Sequence, residues 1–171
     1  LTEVGSVTGD PEFIGECLAH DGAGWLLSTV SGRTIVRLGA REAMPFLKAD
    51  TGTGAIFGMA ADRERGVLWA AEAWGADIPG GSGPSKTGLL KISLSDGRIL
   101  ARFLLPEDGG KHQFGDVVLT SDGTVYATDS TGGGLWRLKA GGVRLEQVVA
   151  PGAFASPQGM AICPGEGAMV V

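Results

Sequence analysis

Three oxygen-bearing side chains stand at the starts of short apolar segments, where they could bind a cation. They are Glu16, Asp116 and Gln158. Calcium takes about six to eight hard oxygen ligands, and carboxylate and amide oxygens are among those it prefers. From the residues alone, Glu16 must be paired, protonated or metal-bound if it faces a narrow channel, and Asp116 and Gln158 are candidates to contact the same ligand. The structural alternatives are a salt bridge for Glu16, a turn contact for Asp116 and backbone hydrogen bonds for Gln158.

A second set of side chains could line a pocket beside these candidates. His112 lies in a polar loop, where it could act as a general acid or base near neutral pH or be a solvated loop residue. Glu72 and Asp129 follow strand-like segments and could accept hydrogen bonds from loop amides. Trp74 borders a glycine-rich loop and could cover the pocket. Because no nucleophile elbow, Walker loop or dinucleotide fingerprint occurs, the sequence identifies no catalytic residue.

Composition indicates which elements must position these residues. Thirty of the 171 residues are glycine, and 43% are hydrophobic. Glycine is costly inside a helix but useful at positive φ in tight turns. The chain is therefore expected to form short antiparallel strands around a core.

Charge, hydropathy and cysteine content exclude several classes of protein. The net charge is -5 and lysines and arginines do not cluster, so nucleic acid is not an expected partner. The apolar runs are far shorter than the roughly 20 residues of a membrane helix, so no membrane span is predicted. Cys17 and Cys163 belong to no metal-binding or redox motif and are predicted to be free thiols.

A fourfold internal repeat predicts the fold. Four similar segments begin at Glu16, Phe57, Phe114 and Gln158, which lie 41, 57 and 44 residues apart. Each is followed by a turn glycine and an apolar strand, and the complete units then contain a third strand and a more variable fourth. Units of this length with four short strands are typical of β-propeller blades.

The long second unit contains an insertion at residues 75–87, which holds four glycines and two prolines. Neighbouring strands of a blade are antiparallel, so the starts of the inner strands, this insertion and the loops between blades should share one face. All seven candidate residues are expected on that face, at the mouth of the central channel.

The predicted fold is an all-β propeller of four-stranded antiparallel blades. Residues 1–171 are interpreted as one partial domain, with blades at about 12–50, 55–106 and 112–150 and an incomplete blade at 157–171. About three and a half blades are thus expected, and both ends of the chain look cut from a larger protein.

The blade motifs resemble those of the senescence-marker-protein and gluconolactonase-like propellers, and related NHL-type propellers share much of them. The resemblance rests on residues 56–60, 114–117, 122–130 and 156–161 and covers most of the chain. It implies six blades and hydrolysis of sugar lactones or esters with a divalent cation, usually calcium. It also implies that Glu16 is the family's glutamate ligand, that Gly115, beside Asp116, takes the place of an asparagine ligand, and that Gln158 replaces a second one.

The sequence therefore predicts a gluconolactonase-like propeller that binds a small oxygen-rich ligand, and the resemblance implies a metal-dependent lactone or ester hydrolase. The alternative is a non-catalytic propeller that binds a protein, peptide or glycan on the channel face, since propellers host many functions. Relatives are often exported in bacteria, which favours a periplasmic or secreted location. Unpaired strand edges at the open ends predict self-association of residues 1–171.

Overall fold

A computed structural model describes residues 12–40, 42–47, 52–163, 165 and 169–171. These residues form fourteen β-strands and no helix. Within this part of the chain there is accordingly no helix long and apolar enough to cross a membrane. The prediction of an all-β chain is confirmed.

The strands form three four-stranded antiparallel sheets and one two-stranded sheet, each built from strands in chain order. The first blade contains β1 (Gly15–His20), β2 (Trp25–Thr29), β3 (Ile35–Leu38) and β4 (Ala43–Pro45). The second contains β5 (Ala55–Asp62), β6 (Val67–Trp74), β7 (Lys86–Ser93) and β8 (Ile99–Leu104). The third contains β9 (Phe114–Leu119), β10 (Val125–Asp129), β11 (Gly134–Leu138) and β12 (Glu146–Val149), and the last sheet pairs β13 (Ala161–Ile162) with β14 (Met169–Val170).

This order is that of β-propeller blades, as predicted, but two boundaries differ from the sequence interpretation. Strand β7 begins at Lys86, because Trp74 pairs with Lys86 and Ala73 with Thr87 across the hairpin. The insertion therefore spans residues 75–85. Strand β13 begins at Ala161 and leaves Gln158 in the preceding loop.

Tight turns with glycine at positive φ join the first two strands of each complete blade. The glycines are Gly22 (φ 98°), Gly66 (φ 65°) and Gly123 (φ 90°). Side chains other than glycine rarely adopt these angles, so the turns account for part of the glycine content. In the first turn Gly22, rather than the Gly24 of the repeat, takes the left-handed conformation.

The inner strand of each complete blade carries a β-bulge near its start. The register shifts between Gly15 and Leu18 in β1 and between Ile56 and Met59 in β5, and β9 has the same irregularity after Phe114. The bulges align Glu16 with Phe57 and with Gly115. The sequence repeat had aligned Glu16 with Phe114, one residue away. The hairpin between the first two strands is one residue shorter in the third blade than in the second, so matching the turn glycines Gly66 and Gly123 shifts the inner strands.

Two hydrophobic clusters lie between successive blades. One packs the first blade against the second through Leu26, Ile35, Ile56 and Leu90, among others. The other packs the second blade against the third and includes Trp69 and Phe114, among others. The second blade is covered on both faces, so that β6 is buried along almost its whole length and lacks the alternation of a half-exposed strand.

Buried hydroxyl groups on the second strands connect neighbouring blades. Ser28 donates to the carbonyl of Phe57 at 2.7 Å and accepts the amide N–H of Cys17 at 3.0 Å. Thr128 holds the equivalent place in the third blade and donates to the carbonyl of Gln158 at 3.3 Å. Both hydroxyls satisfy backbone groups that the bulges release from the strand ladder.

Candidate functional site

One face of the blades carries all the loops near the candidate residues. It holds the starts of the inner strands, the loop at 30–34, the insertion at 75–85 and the interblade loop at 105–112, and we call it the insertion face. The Arg33 guanidinium donates to the carbonyl of Gly80, so the first blade reaches the insertion of the second.

Glu16 lies on the insertion face, inside the bulge at the start of β1, and its side chain is exposed. Burial raises the pKa of the neighbouring Cys17 thiol, whereas a hydrogen bond with the Met59 backbone lowers it. The charges of Asp116 and Glu16 raise this pKa further. The two carboxylates are thus close enough to act on the same thiol. Cys17 and Cys163 are both free.

Asp116 connects the third blade to the fourth. Its Oδ1 accepts the amide N–H of Val117 and its Oδ2 accepts that of Met160, both at 2.8 Å. A Cβ at Gly58 would lie 2.5 Å from the Asp116 Cα, so only glycine permits this approach of β5 to β9. These contacts give Asp116 a structural role between blades, which differs from the turn contact considered from the sequence.

Gln158 is exposed in the loop before β13, and its side-chain amide donates to Ser156 Oγ at 3.1 Å. In the described part of the chain no three His, Cys, Asp or Glu side chains gather as a metal-binding group. Glu16, Asp116 and Gln158 offer two carboxylates and an amide, and both Asp116 oxygens already accept backbone N–H groups. By themselves these residues do not form the shell of about six to eight oxygens that calcium prefers.

Glu72 is fully buried at the end of β6 and makes an ion pair with Arg102 of β8. Arg102 Nε donates to Oε2 at 2.8 Å and Nη2 to Oε1 at 3.3 Å, while the Gly54 amide donates to Oε1 at 2.8 Å. The Arg102 guanidinium lies 5.5 Å from the ring centre of Trp74, whose indole N–H donates to the Gly52 carbonyl. Glu72 thereby fixes an outer strand and the start of the inner strand of its own blade.

Asp129 occupies the equivalent place at the end of β10 and is also fully buried. Its Oδ1 accepts the amide N–H groups of Gln113 at 3.0 Å and Gly132 at 2.8 Å. Its Oδ2 pairs with Nδ1 of His112, and His112 Nε2 lies 3.1 and 3.2 Å from the two carboxylate oxygens of Asp108. The imidazole thus stands between a buried and an exposed carboxylate.

His112 is not the solvated loop residue that the sequence favoured, since only 9% of its side chain is exposed. Burial lowers the pKa of His112, but the hydrogen bonds and charges of Asp129 and Asp108 outweigh it, so the pKa is raised overall. The Gly110 amide and then His112 lower the pKa of Asp108. The two shifts favour an imidazolium between carboxylates. Asp108 was not among the sequence candidates, although its spacing of four residues from His112 in a glycine-containing loop is a signal.

Two adjoining clefts open on this side of the second blade. The first, of about 330 Å³, runs between residues 84–87 and 105–112, and Asp108 and His112 line it. The second, of about 360 Å³, is lined by Trp74, Lys86 and Arg102, among others, and shares Pro84 and Lys86 with the first. The structure thus brings His112 and Trp74 to neighbouring clefts, whereas Glu16 and Gln158 line neither.

No family model matches the sequence, and no curated protein matches it. Solved structures do resemble it. A protein of unknown function from Bacteroides caccae is 14% identical, with a TM-score of 0.63 over 94% of this chain and 53% of its own. The apo form of the soluble aldose sugar dehydrogenase from Escherichia coli is 18% identical, with a TM-score of 0.54 over 91% of this chain and 55% of its own. This chain therefore spans about half the length of both structures, and their likeness to it shows the β-propeller fold.

Proposed function

We propose that the insertion face binds a small oxygen-rich molecule in the first cleft, between residues 84–87 and 105–112. The observation that carries this proposal is the placement of the Asp129–His112–Asp108 arrangement in the wall of a 330 Å³ cleft. Small-molecule sites typically combine such a concave volume with a few convergent polar groups.

The charges of the cleft favour a ligand rich in both hydroxyl and carbonyl oxygens. Lys86 and Lys111 supply donors, and Glu107 and Asp108 supply acceptors, all in the lining. Molecules with several hydroxyl groups satisfy a mixture of donors and acceptors, because each hydroxyl can play either part. The resemblance to gluconolactonases suggests sugars, aldonic acids and their lactones within this class.

Calorimetric titration of the purified protein with glucono-1,5-lactone, gluconate and glucose tests the proposal. We expect saturable binding of at least one of the three. The variant Lys86→Gln should weaken it severalfold, whereas Lys139→Gln, which neutralises an exposed lysine paired with Glu146 outside the cleft, should not. Absence of saturable binding for all three compounds, or equal effects of the two variants, would overturn the proposal.

A second candidate function is metal-dependent hydrolysis of lactones or esters. It is supported by the exposed Glu16 carboxylate on the insertion face and by the resemblance that places a family ligand there. The bound cation would polarise the ester carbonyl, and Glu16 would hold it with help from Gln158 and Asp116. Calcium that binds the native state at a hundredfold excess over its Kd adds about 2.7 kcal/mol to the free energy of unfolding.

Thermal melts with calcium and with chelator, together with a lactone hydrolysis assay, separate the two candidates. A calcium-dependent rise in melting temperature that Glu16→Gln removes, with turnover of lactone, would favour the hydrolase. Identical melts without turnover would leave the non-catalytic propeller. In that case glycans and peptides should be titrated as ligands of the same face.

A further inference from the structure

One side of the His112 ring is held rigidly. The Asp129 carboxylate has no exposed surface and is fixed by the amides of Gln113 and Gly132, so its Oδ2 stays directed at His112 Nδ1. A Cβ at Gly132 would lie 2.3 Å from that oxygen and 2.8 Å from Nδ1, so a glycine is needed for the contact to form. The Nδ1 proton therefore remains on the Asp129 side.

The other side of the ring has a partner that is easily removed. The Asp108 side chain is 52% exposed and is followed by Gly109, with φ 83°, and Gly110. The Gly110 amide donates to Asp108 Oδ1 at 2.8 Å, which couples the two-glycine segment to the carboxylate. Ion pairs with an exposed partner contribute little free energy, about 0–1 kcal/mol, so Asp108 can leave Nε2 at low cost.

The geometry points to a proton-controlled hydroxyl-binding site: when His112 loses its Nε2 proton, Asp108 leaves and Nε2 accepts a hydrogen bond from a ligand hydroxyl in the cleft. The ligand part of this inference rests on the proposed function. The proton passes to solvent, and no covalent bond of the protein or ligand changes.

Charge explains why the contact depends on the proton. Imidazolium donates from both nitrogens and satisfies both carboxylates, whereas a neutral ring with its proton on Nδ1 presents a lone pair to Asp108. Of the other charged groups near the ring, Lys86 and Glu107 line the first cleft with His112. Lys111 faces a smaller cavity beside the ring but pairs with Asp77 of the insertion at 3.5 Å, and the Trp136 ring of β11 is uncharged. The two aspartates are in direct contact with the imidazole, and their charges raise its pKa.

The direction of the pH effect follows from the shift described above. Burial lowers the pKa of His112, but the two carboxylates raise it by more, so the net shift is upward. His112 therefore stays protonated, and the contact with Asp108 stays formed, to a higher pH than the ordinary histidine value of about 6.5 would allow. It is lost as pH rises through the higher pKa of the folded protein, and the hydroxyl-binding form replaces it.

NMR of the purified ligand-free protein, with ¹⁵N-labelled histidine, tests the proton step directly. We expect His112 to pass from imidazolium to the neutral form protonated at Nδ1, with a midpoint above the ordinary histidine value of about 6.5. The amide signals of Gly109 and Gly110 should shift with the same midpoint. A neutral form protonated at Nε2, or Gly109 and Gly110 signals that do not follow His112, would overturn the inference.

The variant Asp108→Asn removes the carboxylate charge and should lower the His112 midpoint. The matched control is Asp96→Asn, since Asp96 also accepts the amide N–H two residues later, from Arg98 at 3.3 Å, in an exposed turn. Neither aspartate lies in the core, so both variants should fold. Equal His112 midpoints in wild type, Asp108→Asn and Asp96→Asn would contradict the role of Asp108.

Calorimetry with glucose, which does not titrate in this range, tests the ligand step. If only the deprotonated form binds, the observed Kd should fall about tenfold per pH unit below the His112 midpoint and level off above it. Asp108→Asn should move the pH at which Kd levels off to lower values, together with the His112 midpoint. Binding with a pH-independent Kd would overturn the inference and leave the proposed function intact. If glucose does not bind at any pH although the NMR transition is present, the ligand step and the binding of glucose in this cleft are both overturned. The proton step would then still hold.

Discussion

The Glu72–Arg102 pair offers a quantitative test of what the buried carboxylates do. Glu72 has no exposed side-chain surface, whereas 28% of Arg102 is exposed. Removing one partner of a buried ion pair costs about 3–5 kcal/mol, and partial solvation of Arg102 places Glu72→Gln near the lower limit, at about 3 kcal/mol. Glutamine keeps an oxygen for the Gly54 amide, so the loss reports mainly on the charge.

A change of about 3 kcal/mol should lower the melting temperature by roughly 6–12 °C in a protein of this size. Urea unfolding and calorimetry of Glu72→Gln, Arg102→Met and the double variant measure the loss and the coupling. The double variant should be more stable than the sum of the single losses predicts, by about 2 kcal/mol. Asp96→Asn, which removes an exposed pair at 3.9 Å, is the control and should cost less than about 0.5 kcal/mol.

The reasoning would be refuted by a Glu72→Gln loss no larger than that of Asp96→Asn. It would also be refuted if the losses of the two single variants were additive. Either result would mean that Glu72 does not anchor the loop and outer strand of its blade, and its place beside the second cleft would then need another explanation.

Three further predictions concern other contacts. The hydrogen bond with Arg37 lowers the pKa of Asp21 to about 2, so Asp21→Asn should lower the free energy of unfolding in urea by about 2 kcal/mol near pH 7. The difference between wild type and variant should vanish as pH falls from about 5 to 2, and a constant difference would refute this. Thr128→Val removes the hydroxyl that accepts the part-buried Asp116 amide N–H and donates to the Gln158 carbonyl, and it should cost about 1–3 kcal/mol by the same assay, against little for the exposed Thr131→Val. Equal losses would contradict this role of the Thr128 hydroxyl. Light scattering should show that the wild-type protein associates as its concentration rises, and Leu18→Lys should reduce this association. Leu18 is 54% exposed on the face of the first blade turned away from the second. A wild type that stays monomeric would contradict the prediction.

The blade architecture could be predicted from the sequence because it depends on local, repeated signals. Turn glycines such as Gly66 and Gly123 follow each inner strand, and the strands β2, β6 and β10 were located to within two residues at their ends. The insertion was recognised from the length of the unit and from its glycine and proline content. The register of the third unit was wrong by one residue, because its first hairpin is one residue shorter than that of the second unit. The turn glycine and the Phe-Gly pair recur at the same spacing in both units, so the sequence does not show the difference.

The candidate site was predictable only in part, because contacts between distant segments decide it. Glu72 and Asp129 were placed at equivalent strand ends, yet nothing local shows that one meets Arg102, 30 residues later, and the other His112, 17 residues earlier. The loop composition around His112 suggested solvation. Burial between blades and a buried carboxylate reverse that expectation, and both arise from tertiary packing.

The central claim, that the insertion face binds an oxygen-rich ligand beside His112, is tested most directly by ¹H–¹⁵N NMR spectra of the protein titrated with gluconate and with glucose. The account predicts saturable shifts concentrated in residues 84–87 and 105–112, which line the first cleft. Signals from residues 139–145, at the turn of the β11–β12 hairpin, should stay in place. Saturable shifts confined to that hairpin, or no saturable shift in the cleft residues with either compound, would contradict it.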